Sequence, residues 1–231
     1  MTGRALYLVN GSISSIRVLV ALHEKALPFE PRRLRVMREP RDTRTPAFLA
    51  LNPRGQAPVL VEPDGVVMNE SLAILTFLEL RYPTPPLLPR DRPADLARAL
   101  AYAQEAETTA QIYEPLEALF DDAAARTPEA RPAITGALAG LDHELALWEA
   151  RAAVPFIAGE TFSIADCAFY PVLTYMRRRG LALDRHPALD AYHARIAARP
   201  SAIASHPEGW EQGRVGRVNL FARAAALSQG R

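Results

Sequence analysis

Cysteine is almost missing from this sequence: Cys167 stands alone among 231 residues, and one cysteine cannot close a disulfide within its own chain. A reducing compartment suits such a chain, and no run of His, Cys, Asp or Glu has the spacing of a zinc site. An excess of one charge is missing too, since 27 Lys and Arg oppose 26 Asp and Glu for a net of +1. That field is too small to capture nucleic acid, so binding has to be local. Long apolar runs are also absent. The opening stretch, 1–11, holds a short one headed by an arginine, well below the length of a secretory core or a membrane span. These absences predict a soluble, cytoplasmic protein with no metal, no nucleic-acid partner and no membrane partner. No internal repeat or low-complexity tract is present.

What is present is enough apolar material, 49% of the residues, for a full core, in a length comfortable for two domains. An apolar run at 5–9 ends at Asn10-Gly11 and reads as a strand. Over 15–26, Ile16, Leu19, Val20, Leu22 and Ala26 recur at helical spacing, behind serines able to cap. Residues 29–36 alternate apolar and basic, as a half-exposed strand does. A basic loop at 38–44 leads to Thr45-Pro46, where a proline in a helix's first turn costs no hydrogen bond, and that short helix closes near Asn52-Pro53. Two apolar stretches, 58–61 and 66–68, flank Pro63-Asp64-Gly65 and predict a hairpin, followed by a helix over 69–82. Residues 84–93 carry Pro85, Pro86, Pro89 and Pro93 and read as a stiff linker. Beyond it the pattern is helical only, at 94–120, 132–151, 163–178 and 187–198, with little periodicity after 207. The expected organisation is an α/β domain at 1–83, a linker at 84–93 and an all-helical domain at 94–231.

Two local features suggest a ligand. Ala57-Pro58 opens the first strand of the hairpin; a cis bond there would turn the Ala57 N–H and C=O outward to pair with an extended ligand, and a trans bond would leave an ordinary strand entry. The local residues leave both open. Asn69-Glu70-Ser71 begins the next helix, whose first N–H groups attract a carboxylate, with the Ser71 hydroxyl as a further donor.

Leu51-Asn52-Pro53-Arg54-Gly55-Gln56-Ala57-Pro58-Val59-Leu60, followed by Asn69-Glu70-Ser71-Leu72-Ala73-Ile74, resembles the glutathione site of the cytosolic glutathione transferase family. Phe156-Ile157-Ala158-Gly159-Glu160-Thr161-Phe162-Ser163-Ile164-Ala165-Asp166 resembles that family's helical-domain signature, in which Ser163 and Asp166 have the spacing of a capping box. The stretch from His186-Pro187 to Arg199-Pro200-Ser201 is similar to its closing helix. The resemblance implies a thioredoxin-like domain (βαβαββα) followed by an all-helical one, with glutathione as co-substrate and a detoxifying role. It implies that the backbone of Ala57 before a cis Pro58 meets the cysteinyl unit, that Glu70 and Ser71 hold the γ-glutamyl end, and that Gln56 lies near the glycyl end. Arg41, with Arg38 and Arg44, lies in the loop where the family places a basic partner for the glycyl carboxylate. A homodimer is implied as well. The second substrate, a small hydrophobic electrophile, is expected against the helical half, near Tyr102, Thr109 and Tyr113, and Trp210 or Phe221.

The turn from Asn10 to Val18 is where the family carries the group that activates the thiol. Counted back from Arg17-Val18, Ser12 falls on the serine of the serine-type classes, Ser14 where nu-like classes carry an Asn, and Ser15 where some ether-cleaving members place a serine. Ser12 is the first candidate and the other two remain alternatives. A serine hydroxyl is too weak an acid or base to take the thiol proton, so its task is to donate a hydrogen bond to the thiolate. Cys167, inside the predicted helix beside the capping box, reads as inert packing against Phe162. The catalytic turn has no cysteine, so the covalent chemistry of omega-like classes finds no support. The function implied is transfer of glutathione to an electrophile. The alternatives are a glutathione-dependent isomerase or disulfide reductase, and a non-catalytic interaction module. Ser12-x-Ser14-Ser15 is similar to the turn of zeta-like members, although Ile13 and Ser14 stand where those carry a Ser-Cys pair.

Overall fold

The computed structural model describes residues 3–123, 125, 127–210 and 218–229. Its first half is a four-stranded sheet with strands in the order β2-β1-β3-β4, made of β1 (Ala5–Leu8), β2 (Glu30–Arg33), β3 (Val59–Val61) and β4 (Val67–Asn69). β1 runs parallel to β2 and antiparallel to β3, and β3 is antiparallel to β4. Side chains on a strand alternate between faces, and the apolar ones sort accordingly. Leu6, Leu8 and Leu60 enter the main core, while Ala5, Val59 and Val61 join Phe48 in a second cluster on the opposite face. Three helices cover this sheet: α1 (Ile13–Glu24), α2 (Pro46–Leu51), which supplies Phe48, and α3 (Ser71–Arg81).

Boundaries shift from the sequence expectation at several elements, and at α1 and β2 the local reason is plain. α1 begins at Ile13 rather than near 15, because Ser12 takes the N-cap position and its Oγ accepts the Ser15 N–H at 3.4 Å. Its predicted last residue, Ala26, lies beyond the helix at φ 51°. β2 is shorter than 29–36, being an edge strand exposed at all four positions, with Pro31 in its middle.

The second half is helical, in α4 (Pro93–Tyr113), α5 (Ala130–Arg151), α6 (Ile164–Arg178), α7 (Pro187–Ala197), α8 (Pro200–Ala204) and α9 (Leu220–Ser228). α4 tightens into a 3₁₀ turn over Glu114–Phe120, and α9 occupies the tail where little periodicity was found. Asn219 caps α9, accepting the Ala222 N–H at 2.8 Å. Residues 211–217, within the unplaced stretch, lie outside the described residues. The capping box of α6 forms. Ser163 Oγ caps the helix, and the Asp166 carboxylate accepts the Ser163 N–H at 2.8 Å, the Ile157 N–H at 2.9 Å and the Tyr192 hydroxyl at 3.2 Å. Burial nevertheless pushes the Asp166 carboxyl up to about 6. Cys167 is fully buried beside it, and burial raises its thiol as well.

The proline-rich stretch between α3 and α4 packs against the core. Leu87 and Leu88 are buried, and the Leu87 carbonyl accepts the Ile164 N–H at 2.9 Å. Lys25, at the end of α1, is sealed from water and donates to Glu79 at 2.7 Å and to the carbonyls of Tyr82 at 2.7 Å and Pro85 at 2.9 Å. Glu79 in turn accepts the Leu87 N–H at 2.9 Å. With α1 packed on α3, α6 and α8, one continuous core spans both halves.

Candidate functional site

Where the loops of the first half face α4, they enclose a cavity of about 740 Å³. Its floor starts at the loop 52–56. Asn52 is buried, its Nδ2 donating to the Gln56 carbonyl at 2.7 Å and its Oδ1 accepting the Arg54 N–H at 3.1 Å. Gly55 adopts φ 65° and backs onto the Thr43 carbonyl and the Arg44 side chain, where a Cβ would come within 2.9 and 2.8 Å. The loop thus needs glycine both for its turn and for its packing. It delivers Gln56, Ala57 and Pro58 to the cavity wall, with the Ala57-Pro58 bond cis. Among the described residues, neither the Ala57 N–H nor its C=O has a hydrogen-bond partner.

Glu70 and Ser71 line the same cavity. Glu70 precedes α3 at φ 65°, ψ 113°, a strained backbone for a non-glycine residue, worth about 1–3 kcal/mol where it occurs, and its side chain makes no cap. The carboxylate of Glu70 is left free for another partner, and the first N–H groups of α3 are left uncapped by it. Ser71 is buried, and its Oγ accepts a hydrogen bond from Arg17 Nη1 at 3.4 Å. Arg41 and Arg44 close the far end. Arg41 is also half-exposed and paired with Glu39 at 2.8 Å.

The three serines of the β1–α1 turn separate in space. Ser14 lines the cavity and its Oγ has no hydrogen-bond partner among the described residues. Ser15 is buried, its Oγ accepting the Val9 N–H at 3.1 Å. Ser12 caps α1 and is not among the lining residues. The structure therefore brings Ser14, and not Ser12 or Ser15, to Ala57, Glu70, Ser71, Gln56 and Arg41.

α4 adds residues that the sequence reading did not single out. Gln104, Glu107 and Gln111 line the cavity from one face of α4. The Glu107 carboxylate pairs with Arg17, whose guanidinium is wholly buried. Burial lowers the Arg17 pKa, and the hydrogen bond and charge of Glu107 oppose that shift.

The residues expected around a second substrate divide. Thr109 is buried and bonded to Trp148 at 2.9 Å and Glu144 at 2.8 Å, and Tyr102 packs edge-on against Trp148. Both serve the packing of α4 on α5. Tyr113 contacts Tyr175 and Phe221, and Tyr175 contacts Trp210. Trp210 lies against Gly11 in the serine-bearing turn, where a Cβ would come within 2.5 Å of the indole Nε1. The Tyr113 hydroxyl is buried with no partner among the described residues.

A thioredoxin-like half presents open backbone and a helix start to a cavity closed by an all-helical half. Residues 11–81 match the family description "Glutathione S-transferase, N-terminal domain", and residues 94–195 match "Glutathione S-transferase, C-terminal domain". The chain is 32% identical over 225 residues to glutathione S-transferase A of Pleuronectes platessa, covering 91% of this chain and 94% of the relative. It is 29% identical over 218 residues to maleylacetoacetate isomerase of Pseudomonas aeruginosa, covering 87% and 95%. A sphingomonad glutathione S-transferase, solved in complex with glutathione, superimposes with a TM-score of 0.72 at 27% identity, covering 87% of this chain and 96% of that one. The chain belongs to the glutathione S-transferase family. No helix among the described residues is long and apolar enough to cross a membrane.

Proposed function

We propose that this protein binds glutathione in the cavity and activates its thiol for attack on a small hydrophobic electrophile. The observation that carries this reading is the convergence of the Ser14 hydroxyl, the unpaired Ala57 backbone and the Ser71 start of α3 on one cavity. In this reading the Ala57 N–H and C=O pair with the cysteinyl unit as a strand would. Ser71 and the first N–H groups of α3 take the γ-glutamyl carboxylate, while Glu70 and Glu107 face its ammonium. Arg41 and Arg44 take the glycyl carboxylate beside Gln56. Ser14 donates a hydrogen bond to the sulfur, and the thiol proton leaves to solvent. The thiolate then forms a C–S bond, and a halide or aryloxide departs with its electron pair, or a conjugated alkene gains a proton. A cytoplasmic homodimer acting in detoxification belongs to the same proposal, by kinship with the family.

The isomerase relative supports a second reading, in which the thiolate adds to a cis alkene, the resulting single bond rotates, and glutathione is expelled again. Product analysis separates the two, since a transferase consumes glutathione and an isomerase returns it. The binding test is calorimetry with glutathione. Parent protein should bind, and Ser71→Ala should weaken binding by about 1–3 kcal/mol, the value of a hydrogen bond to a charged group. No binding heat at millimolar glutathione, or unchanged affinity in the variant, would remove the proposal's basis.

A further inference from the structure

A second cavity, of about 540 Å³, shares no lining residue with the first. We propose that it is a separate binding site for an uncharged apolar molecule of one or two rings that carries a single hydroxyl or carbonyl group. The proposal goes beyond the glutathione reading and stands without it.

Three segments wall this cavity. Helix α1 supplies Ile16, Leu19 and Leu22, the chain between α1 and β2 supplies Leu27 and Phe29, and the stretch after α8 supplies Ser205 and Pro207. A space of about 300–1,000 Å³ with mostly apolar walls and a few polar groups is the usual form of a small-molecule site. Two polar groups here are unused. Ser205 Oγ is buried with no hydrogen-bond partner among the described residues. Such orphans are rare, because the hydroxyl has given up water and received nothing in return. No bond holds that hydroxyl in its rotamer, so a turn about one torsion offers it to an occupant. The His23 side chain also makes no hydrogen bond among the described residues, and its ring stands edge-on to Phe29 at 5.5 Å. Burial lowers the His23 pKa, so at pH 7 its neutral imidazole can give or take a proton in a hydrogen bond.

Charge in the wall sets the class of occupant. Arg33 and Glu208 both line the cavity and pair with each other at 2.8 Å, and the His206 ring packs edge-on against Trp210 at 5.8 Å. A carboxylate entering here would leave water to meet an arginine already matched, so an uncharged molecule fits better. Leu8, Asn10 and Gly11 line this cavity while Val9 and Ser14 line the first, which makes β1 and its turn the partition between them. Asn10 Nδ2 donates to the Glu208 carbonyl at 2.9 Å and holds the partition to the second cavity's wall. Both cavities can be filled at once.

The test is equilibrium dialysis of the full chain against 2-naphthol, naphthalene and 2-naphthoate at pH 7, with and without saturating glutathione. The parent should bind 2-naphthol with an affinity that glutathione changes by less than about twofold, and 2-naphthoate should bind at least about tenfold more weakly. Ala204→Trp places a ring at the cavity from an exposed position and should remove one bound 2-naphthol per chain, with the circular dichroism unchanged. His23→Phe/Ser205→Ala should weaken 2-naphthol about fivefold, the scale of one neutral hydrogen bond, and naphthalene less than twofold. Ser205→Ala alone should move in the same direction and stands in if the double variant does not fold. Displacement of 2-naphthol by glutathione, or undiminished uptake by Ala204→Trp, would place the molecule elsewhere and end the proposal. Equal losses for 2-naphthol and naphthalene, or tighter binding of 2-naphthoate, would overturn the class of occupant. A chain that takes up 2-naphthol here but shows no affinity for glutathione would sink the reading of the first cavity and leave this one standing.

Discussion

Ser14 occupies the second position of α1, where backbone N–H groups of the first turn lack helical partners and the helix dipole is positive. A free thiol with a pKa of about 8.5 is only a few per cent ionised at pH 7, and making thiolate the main species takes about two units, or roughly 2.7 kcal/mol. One charge-assisted hydrogen bond with a helix start is of that size. Ser14→Ala should therefore raise the pKa of bound glutathione by about one to two units, read by ultraviolet titration of the thiolate. Ser12→Ala should instead cost stability, about 0.5–2 kcal/mol for a lost cap, and leave the titration in place. Ser15→Ala strands the Val9 N–H and should act on stability too. A shift in Ser12→Ala with none in Ser14→Ala would return the role to the cap. The sequence located this turn but not the serine that faces the cavity, because a helix rotates about 100° per residue and the phase depends on where it starts. Two residues of difference in the start of α1 move the cavity-facing position from one serine to another. Ala57, Gln56, Glu70, Ser71 and Arg41 were named through the resemblance, and the structure places all five on the wall of one cavity. Glu107 was not, since a polar stripe through Gln104, Glu107 and Gln111 looks the same whether it faces a cavity or solvent.

At the scale of elements, the two ends of α1 meet different demands. Glu24 closes the helix at its negative end, an unfavourable place for a carboxylate on its own. It is held there by both Nε and Nη2 of Arg199, each at 2.8 Å, and by the Ser201 hydroxyl, which ties the first half to the junction of α7 and α8. Burial pushes the Glu24 carboxyl up, but the hydrogen bonds from Arg199 and Ser201 and the Arg199 charge outweigh it and hold it below its ordinary value. The clip's contribution is therefore present above the unfolded glutamate pKa of about 4.3 and is lost as pH falls through the lower, folded value. Glu24→Gln should cost about 1–3 kcal/mol at pH 7, and the gap to the parent should narrow as pH drops below 4. A gap constant from pH 7 to 3, measured by urea unfolding, would show that the clip carries no charge-dependent stability. The strand and helix order of the first half could be read because each element carries its own period and punctuation. The packed linker and α9 could not. Leu87 and Leu88 look like any pair between prolines until Lys25 and Ile164 bind the backbone around them, and α9 buries only Leu220 and Ala224 completely, too few to print a period.

Across the whole molecule, α1 and the linker make the two halves one cooperative body. Lys25 and Glu79 are both sealed from water, so removing Lys25 leaves the buried Glu79 carboxylate with only the longer ion pair to Arg90 at 3.5 Å. Lys25→Met should cost about 3–5 kcal/mol and lower the melting temperature of the chain as a single transition, followed by far-ultraviolet circular dichroism and tryptophan emission together. Separate melting of the first half would contradict the shared core. The chain has two tryptophans, and they sit in unlike places. Trp148 is stacked on Phe169 at 3.9 Å in the dry interior of the helical half. Trp210 is half-buried, with the Arg178 guanidinium 4.7 Å from its ring centre and its indole on Gly11, the turn that holds the serines. One indole is thus a constant background, while the other is an optical gauge already installed at the serine-bearing turn. A protein carrying Trp148→Phe would report events at that turn through its own light, with no dye attached.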